Sequence, residues 1–167
     1  MIDQAEIHRK VYGRINERQE AVQLLKYLFS DLPDKDLAWQ DLIKLIQDDD
    51  LYVRSLASDS LETAICHVSD KSRAWHDLHE LAQEKDNDVL CGIAKALGSA
   101  FVHIPEKAQA LQDLHSLTRN EDVDVVIYAY YSLGKISVIK AVEANDIDNL
   151  ARELKTAISY FEGSFQV

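Results

Sequence analysis

The chain is poor in residues that interrupt helices or cross-link small folds. Its 167 residues include only 5 Gly, 2 Pro and 2 Cys. Strands joined by tight turns need more Gly and Pro than this, so the composition favours a helical fold. Cys66 and Cys91 match no zinc or redox spacing, and we expect them to be free thiols of a cytoplasmic protein.

Positive charge and long apolar runs are also scarce. Lys and Arg number 18 against 29 Asp and Glu, which gives a net charge of -11. Nucleic acids and anionic membranes attract basic surfaces, so this balance disfavours both as partners. No apolar run approaches the roughly 20 residues of a membrane span, and the segment MIDQAEIHRK has no apolar signal region. We expect one acidic domain over residues 1–167.

A period of 36 residues runs through the sequence. A shift by that length superimposes three units, residues 38–73, 74–109 and 110–145, while residues 1–37 form a degenerate first unit in which matches begin only at Ala21. Terminal repeats are expected to be atypical because one face has no neighbour. The clearest columns are Ala38, Ala74 and Ala110; Asp41, Asp77 and Asp113; Asp50, Asp86 and Asp122; Val53, Val89 and Val125; and Leu61, Leu97 and Leu133.

Each unit is predicted to contain two helices. In the second helix, apolar residues recur at spacings of three and four, and a short carboxylate precedes the helix where it can accept from free backbone N–H groups. We expect Val53, Ala57, Ser60, Leu61 and Ala64, with their equivalents, to point inward. Residues 146–163 form a capping helix, begun by Asp146, whose apolar stripe is expected to cover the last repeat; the stripe is Ile147, Leu150, Ala151, Leu154, Ala157, Ile158 and Phe161.

The second helices resemble those of the HEAT repeat, including the short kind found in phycobilisome-lyase-like proteins. The pattern is Asp, then Val, then Ala or Ile, and then Leu, and the resemblance extends over roughly residues 21–141. Arg54 matches the Arg that often follows the Val in this family, whereas Leu90 and Val126 differ from it. The resemblance implies an all-α fold, a right-handed α-α superhelix of about four helical hairpins plus the capping helix. A tetratricopeptide array is rejected, since Leu42-Ile43 and Ile46 replace that family's Leu-Gly pair and Tyr.

In HEAT-like arrays, the side of the second helices that faces away from the core lines a concave surface. At about 100° per residue, this side falls on the following positions. They are Ser55, Asp59, Glu62 and Cys66; Cys91, Lys95, Gly98 and Val102; and Ile127, Tyr131, Gly134 and Val138, with Tyr128 and Tyr130 beside them. The surface changes from polar to apolar and aromatic along the chain, which is typical of a contact surface.

The sequence therefore predicts a non-catalytic scaffold that binds another protein or a peptide on its concave surface. The residues assigned to partner binding are Arg54, Cys91, Lys95, Ile127, Tyr130 and Tyr131. A homodimer, or the capping helix itself, would bury the same aromatic residues. The resemblance leaves open a lyase- or chaperone-like subunit related to bilin lyases, and a nucleic-acid-binding module is the third alternative.

Two further groups of residues carry weaker chemical signals. His76 and His79 lie three residues apart on one helix and His115 repeats His79, which is a spacing at which imidazoles can approach one metal. Cys91 lies on the expected concave side, but no His adjacent in sequence would activate it, and only Lys95 lies one turn away. We assign no cofactor, no metal and no catalytic residue.

Overall fold

The structure is a computed structural model that describes residues 3–166. Within this range the chain forms nine α-helices and no strand. The helices are α1 (Gln4–Val11), α2 (Ile15–Leu28), α3 (Lys35–Ile46), α4 (Leu51–Ala64), α5 (Lys71–Leu81), α6 (Asn87–Ala100), α7 (Lys107–Leu117), α8 (Val123–Glu143) and α9 (Ile147–Ser164). A 3-10 turn, Phe29–Asp31, follows α2. The all-helical expectation is confirmed.

Aspartates begin most of the helices. Seven of the nine helices have an Asp at the N-cap whose carboxylate accepts from a backbone N–H of the first turn. Asp86, for example, accepts from the N–H groups of Asp88 at 3.0 Å and Val89 at 3.4 Å. A short carboxylate there satisfies free donors and meets the positive end of the helix dipole. The caps predicted at Asp50, Asp86, Asp122 and Asp146 are confirmed.

The even-numbered helices form a continuous row. Helix α2 packs on α4, α4 on α6, and α6 on α8, while each odd-numbered helix from α1 to α7 packs on the even-numbered helix that follows it. The predicted inward positions are buried in all three central units. They are Val53, Ala57, Ser60, Leu61 and Ala64; Val89, Ile93, Ala96, Leu97 and Ala100; and Val125, Ala129, Ser132, Leu133 and Ile136.

Small residues let neighbouring helices of this row approach closely. A Cβ added to Gly92 would lie 2.5 Å from the backbone oxygen of Ser58 on α4. One added to Gly98 would lie 2.7 Å from the side chain of Ser132 on α8. The expectation that Gly98 lies on the concave side is therefore wrong. Gly98 is buried in the contact between α6 and α8, because a residue without a side chain allows the neighbouring helix to pack closely.

A repeated acidic column joins the first helices of successive units. Each carboxylate of this column accepts from a ring nitrogen of the preceding unit. The pairs are His8 Nδ1 with Asp41 at 2.8 Å, Trp39 Nε1 with Asp77 at 2.7 Å, and His79 Nδ1 with Asp113 at 2.8 Å. Asp41 and Asp113 are buried, and burial raises the pKa of Asp41 despite the opposing hydrogen bond from His8.

Helix α8 is longer than its equivalents in earlier units. It has 21 residues, against 14 in α4 and in α6. Among the described helices it is the only one long and apolar enough to cross a membrane by length and composition, and half of its apolar window is buried inside the fold. Its packing against α6, α7 and α9 accounts for that composition, since a core helix passes the same test.

Candidate functional site

The side of α4, α6 and α8 that points away from the first helices carries a set of polar and aromatic side chains. We call it the open face and define it by Asp59, Glu62, Lys95, Ser99, Tyr128, Tyr131 and Lys135. These residues come from three successive second helices, and they contact one another across the helix boundaries. The repeat places them side by side, because equivalent positions of each second helix face the same side of the molecule.

The first cross-helix contact links one residue from each of the three helices. Lys95 Nζ donates to Asp59 Oδ1 at 2.5 Å and lies 4.6 Å from the centroid of the Tyr128 ring. Burial lowers the pKa of Lys95, but the hydrogen bond and charge of Asp59 outweigh it, so the pKa lies above its usual value. The ammonium group therefore stays charged, held between a carboxylate and a ring face.

The second cross-helix contact lies one turn further along. Lys135 Nζ donates to Glu62 Oε1 at 3.1 Å and to Ser99 Oγ at 3.3 Å, and Ser99 Oγ donates to the same carboxylate oxygen at 3.1 Å. Lys135 also lies 5.3 Å from the centroid of the Tyr131 ring. Both lysines of the open face are thus neutralised by carboxylates of α4, which leaves the face without surplus positive charge.

Sequence reasoning missed Ser99 and Lys135. The signal was present in the period, since Thr63, Ser99 and Lys135 occupy one repeat column. That column was not among the positions assigned to the concave side, because a fixed angle of about 100° per residue puts it at the margin of the face. Long side chains at the margin reach across to the neighbouring helix.

Helix α9 covers part of the aromatic patch. Tyr130 and Tyr160 have ring centroids 6.3 Å apart, and Tyr131 and Phe161 have theirs 5.8 Å apart. A Cβ added to Gly134 would lie 2.5 Å from the ring of Phe161, so that ring packs directly on the Gly134 backbone. Gly134 is therefore covered by α9, and the expectation that it lies on the concave side is wrong. Tyr130 is half-buried, whereas Tyr131 keeps 47% of its surface exposed.

Arg54, which was assigned to partner binding, makes internal contacts. Arg54 Nε donates to Asp86 Oδ2 at 2.9 Å and Nη1 donates to the backbone oxygen of Asp48 at 2.7 Å, which ties α4 to the start of α6. Ile127 is half-buried on α8. Of the six assigned residues, Lys95 and Tyr131 therefore belong to the open face, while Arg54 and Tyr130 serve packing between helices.

Cys91 is half-buried, and its environment disfavours a thiolate. Burial raises the pKa of Cys91 to about 11, and the nearby carboxylates of Asp122 and Asp124 act in the same direction. A nucleophilic cysteine needs a depressed pKa, so this thiol lacks the activation that covalent chemistry requires. Cys66 is the exposed thiol of the pair.

The three candidate metal-binding histidines bind separate partners. His76 Nε2 lies 3.1 Å from Glu80, His79 pairs with Asp113 and stacks on Trp75, and His115 contacts the ring of Tyr160. Across residues 3–166, no three His, Cys, Asp or Glu side chains converge in a way that would hold a metal ion. The shared metal suggested by their spacing has no site in this arrangement.

The fold and the open face define an all-helical protein built from paired, repeat-like helices. No family model matches the chain, and no curated protein matches it. Among solved structures, it is similar to two engineered proteins of the Northeast Structural Genomics Consortium. The first has a TM-score of 0.59 and 17% identity, covering 95% of this chain and 78% of that one. The second has a TM-score of 0.59 and 21% identity, covering 93% and 79%. At this identity the likeness concerns the fold alone.

Proposed function

We propose that the chain is a HEAT-like α-solenoid, a right-handed superhelix of four helical pairs and a closing helix, that binds another protein on its open face. In such an array the second helices line the inner curve, so the open face is its concave surface. The row of second helices and the repeat of 36 residues support this reading.

The exposed Tyr131 beside the neutralised Lys135 is the observation that carries the proposal. Its ring is large and about half exposed, and it contacts Lys135 and Phe161. A tyrosine held in this way offers apolar contact area with a polar tip and loses little conformational entropy on binding, which is why tyrosine is enriched at binding hot spots. The internal pairing of both lysines favours a protein surface over a polyanion as the partner.

The proposed partner is a protein or peptide met in a reducing compartment such as the cytoplasm. Cys66 and Cys91 are both free thiols, one of them exposed, and this is a common state of cysteines where disulfides do not persist. The residues of the open face pair with one another through hydrogen bonds and ring contacts, and the function proposed is binding rather than catalysis.

Affinity capture with two matched tyrosine variants tests this proposal. Tyr131→Ser removes an exposed ring from the open face, whereas Tyr12→Ser removes a ring that is 64% exposed at the end of α1. With immobilised protein and a lysate of the source organism, Tyr131→Ser is expected to reduce recovery of specific proteins at least roughly tenfold, which corresponds to a hot-spot loss of about 1.4 kcal/mol. Tyr12→Ser should recover them as the unaltered protein does.

The thermal unfolding midpoint separates binding from folding in this experiment. Both variants are expected to melt within a few degrees of the unaltered protein, because Tyr131 keeps 47% and Tyr12 64% of its surface exposed. A Tyr131→Ser protein that keeps its full set of bound proteins contradicts the proposal. So does one that loses stability far more than Tyr12→Ser, because Tyr131 would then be part of the core.

A further inference from the structure

The starts of α4 and α8, like the stripe of α9, expose apolar side chains. On α9, the expectation that the stripe covers the last repeat is wrong for four exposed residues, Ile147, Leu150, Leu154 and Ile158. At the starts of α4 and α8, Leu51 is 57%, Tyr52 47% and Val123 49% exposed. Leu51 and Tyr52 adjoin the open face, so the charges around them bear on the kind of partner that this face binds.

A shallow cavity at this edge of the open face combines apolar and acidic side chains. It has a volume of about 360 Å³ and is lined by Leu51, Tyr52, Ser55, Leu56, Asp59 and Asp88. Asp59 belongs to the open face, and its Oδ1 accepts from Lys95. Asp88 is exposed, and its own hydrogen bonds, with Asp86 and Ser58, are made by its backbone atoms. Its carboxylate is therefore free within the part of the chain that the structure describes.

Asp88 belongs to a repeat column that follows the same edge across three helices. The column is Tyr52, Asp88 and Asp124, each of them two residues after the Asp that caps its helix. Asp124 is also exposed, and both carboxylates lie close enough to Cys91 to raise the pKa of that thiol. Neighbouring helices of a packed row lie about 8–10 Å apart. An aromatic ring and two carboxylates therefore follow one another at about this spacing.

The N-terminal halves of α4, α6 and α8 are acidic, whereas the C-terminal halves are balanced. Residues 50–60, 86–96 and 122–132 contain six carboxylates and only two cations, Arg54 and Lys95, which gives a net charge of -4. Residues 61–66, 97–102 and 133–138 contain one carboxylate, Glu62, and one cation, Lys135, which gives a net charge of zero. The surplus negative charge of this row of helices thus lies at one edge.

Internal pairing confines the uncompensated charge to two residues of that edge. Arg54 forms an ion pair with Asp86, and Lys95 forms one with Asp59. The capping carboxylates each face the positive end of their own helix dipole. Asp88 and Asp124 remain as exposed carboxylates without a cation of their own.

We propose that the open face binds a basic, extended segment of its protein partner, which lies across the starts of α4, α6 and α8. The inference rests on the partner-binding function proposed for the open face and specifies the chemistry of the partner. Lys and Arg side chains have an apolar stem and a cationic head, which match Leu51 and Tyr52 beside Asp88. An extended chain rises about 3.1–3.4 Å per residue, so basic residues three apart can reach Asp88 and Asp124 together.

Fluorescence anisotropy with two matched peptides tests this inference. One labelled peptide consists of three arginine-proline-serine repeats, and in the other glutamate replaces each arginine. At low ionic strength, the unaltered chain is expected to bind the basic peptide at least roughly tenfold more tightly than the acidic one. The double variant Asp88→Asn and Asp124→Asn should weaken binding of the basic peptide at least roughly tenfold.

A second double variant controls for the overall acidity of the chain. Glu106→Gln with Asp148→Asn also removes two exposed carboxylates from helix starts, so both double variants change the net charge from -11 to -9. The control should bind the basic peptide within about twofold of the unaltered chain, because surface charges more than a Debye length away are largely screened. Circular dichroism melts should show that both double variants unfold within a few degrees of the unaltered chain.

Three results would overturn the inference. They are equal binding of the two peptides, no detectable binding of the basic peptide, and a loss in the control as large as that in the double variant Asp88→Asn and Asp124→Asn. Each concerns only the charge of the bound segment. The capture of proteins by the unaltered chain and by Tyr131→Ser tests the open face whatever that charge is, so the two failures can be told apart.

Discussion

Trp39 and Trp75 occupy the same repeat position but have different surroundings. Trp39 is 1% exposed and donates from Nε1 to Asp77 at 2.7 Å. Trp75 stacks on His79 with ring centroids 5.2 Å apart, and its buried Nε1 finds no acceptor among the described residues. Asp113 is the repeat equivalent of Asp77, and its carboxylate accepts from His79 instead of from the Trp75 indole.

This difference predicts unequal costs for the same substitution. Trp39→Phe removes a hydrogen bond and leaves a cavity, so we expect a loss of about 2–4 kcal/mol in the free energy of unfolding. Trp75→Phe removes a donor without an acceptor and should cost about 1 kcal/mol or less. Urea denaturation of both variants measures the difference. Equal losses, or a larger loss for Trp75→Phe, would show that the hydrogen bond of Trp39 is not what distinguishes them.

The two thiols are expected to react at very different rates. With a pKa of about 11, Cys91 holds roughly 100-fold less thiolate at pH 8 than a thiol of ordinary pKa, and it is also half-buried. Alkylation by iodoacetamide should therefore modify exposed Cys66 first. Modification of Cys91 in a Cys66→Ser background should accelerate about tenfold for each pH unit until the pH approaches that pKa. Fast, pH-independent labelling of Cys91 at pH 7 would contradict the assignment.

At the scale of the helix, much of the arrangement could be predicted from the period. The Asp caps and the inward columns follow from residue types that recur every 36 positions, because the same local physics acts in each unit. The docking side of α9 could not be predicted in this way. The apolar stripe shows that α9 is amphipathic. The side of α9 that contacts α8, however, depends on the packing of Phe161 on Gly134 and of Tyr130 on Gly163, which only the packed helix pair reveals.

The close approach of α4 and α6 at Gly92 leads to a separate prediction. Gly92→Ala adds a methyl group that would lie 2.5 Å from the backbone oxygen of Ser58, and backbone yields less readily than a side-chain tip. We expect a loss of about 1–3 kcal/mol in stability, although Ala favours helix over Gly by about 1 kcal/mol. Ser116→Ala, at an exposed position on α7, should be nearly neutral in the same denaturation series. A gain in stability at Gly92→Ala would mean that α4 and α6 are less closely packed than described.

At the scale of the molecule, two exposed surfaces can be described, the open face and the stripe of α9. The open face joins three second helices through Asp59 and Lys95 and through Glu62, Ser99 and Lys135. The stripe of α9 lies at the end of the row. The sequence indicated where the open face would be. It did not indicate that α9 would pack on Tyr130 and Gly134 or that its own stripe would stay exposed, since these two features depend on contacts between units.

Photo-crosslinking from the open face tests the central claim most directly. Benzoylphenylalanine at position 131 replaces one exposed ring with another, and the same residue at position 12 is the control. After irradiation in cells of the source organism, we expect position 131 to form a discrete product with another protein, and position 12 to form none. Identical products at both positions, or a product at 131 of only twice 19.0 kDa, would contradict a partner-binding open face.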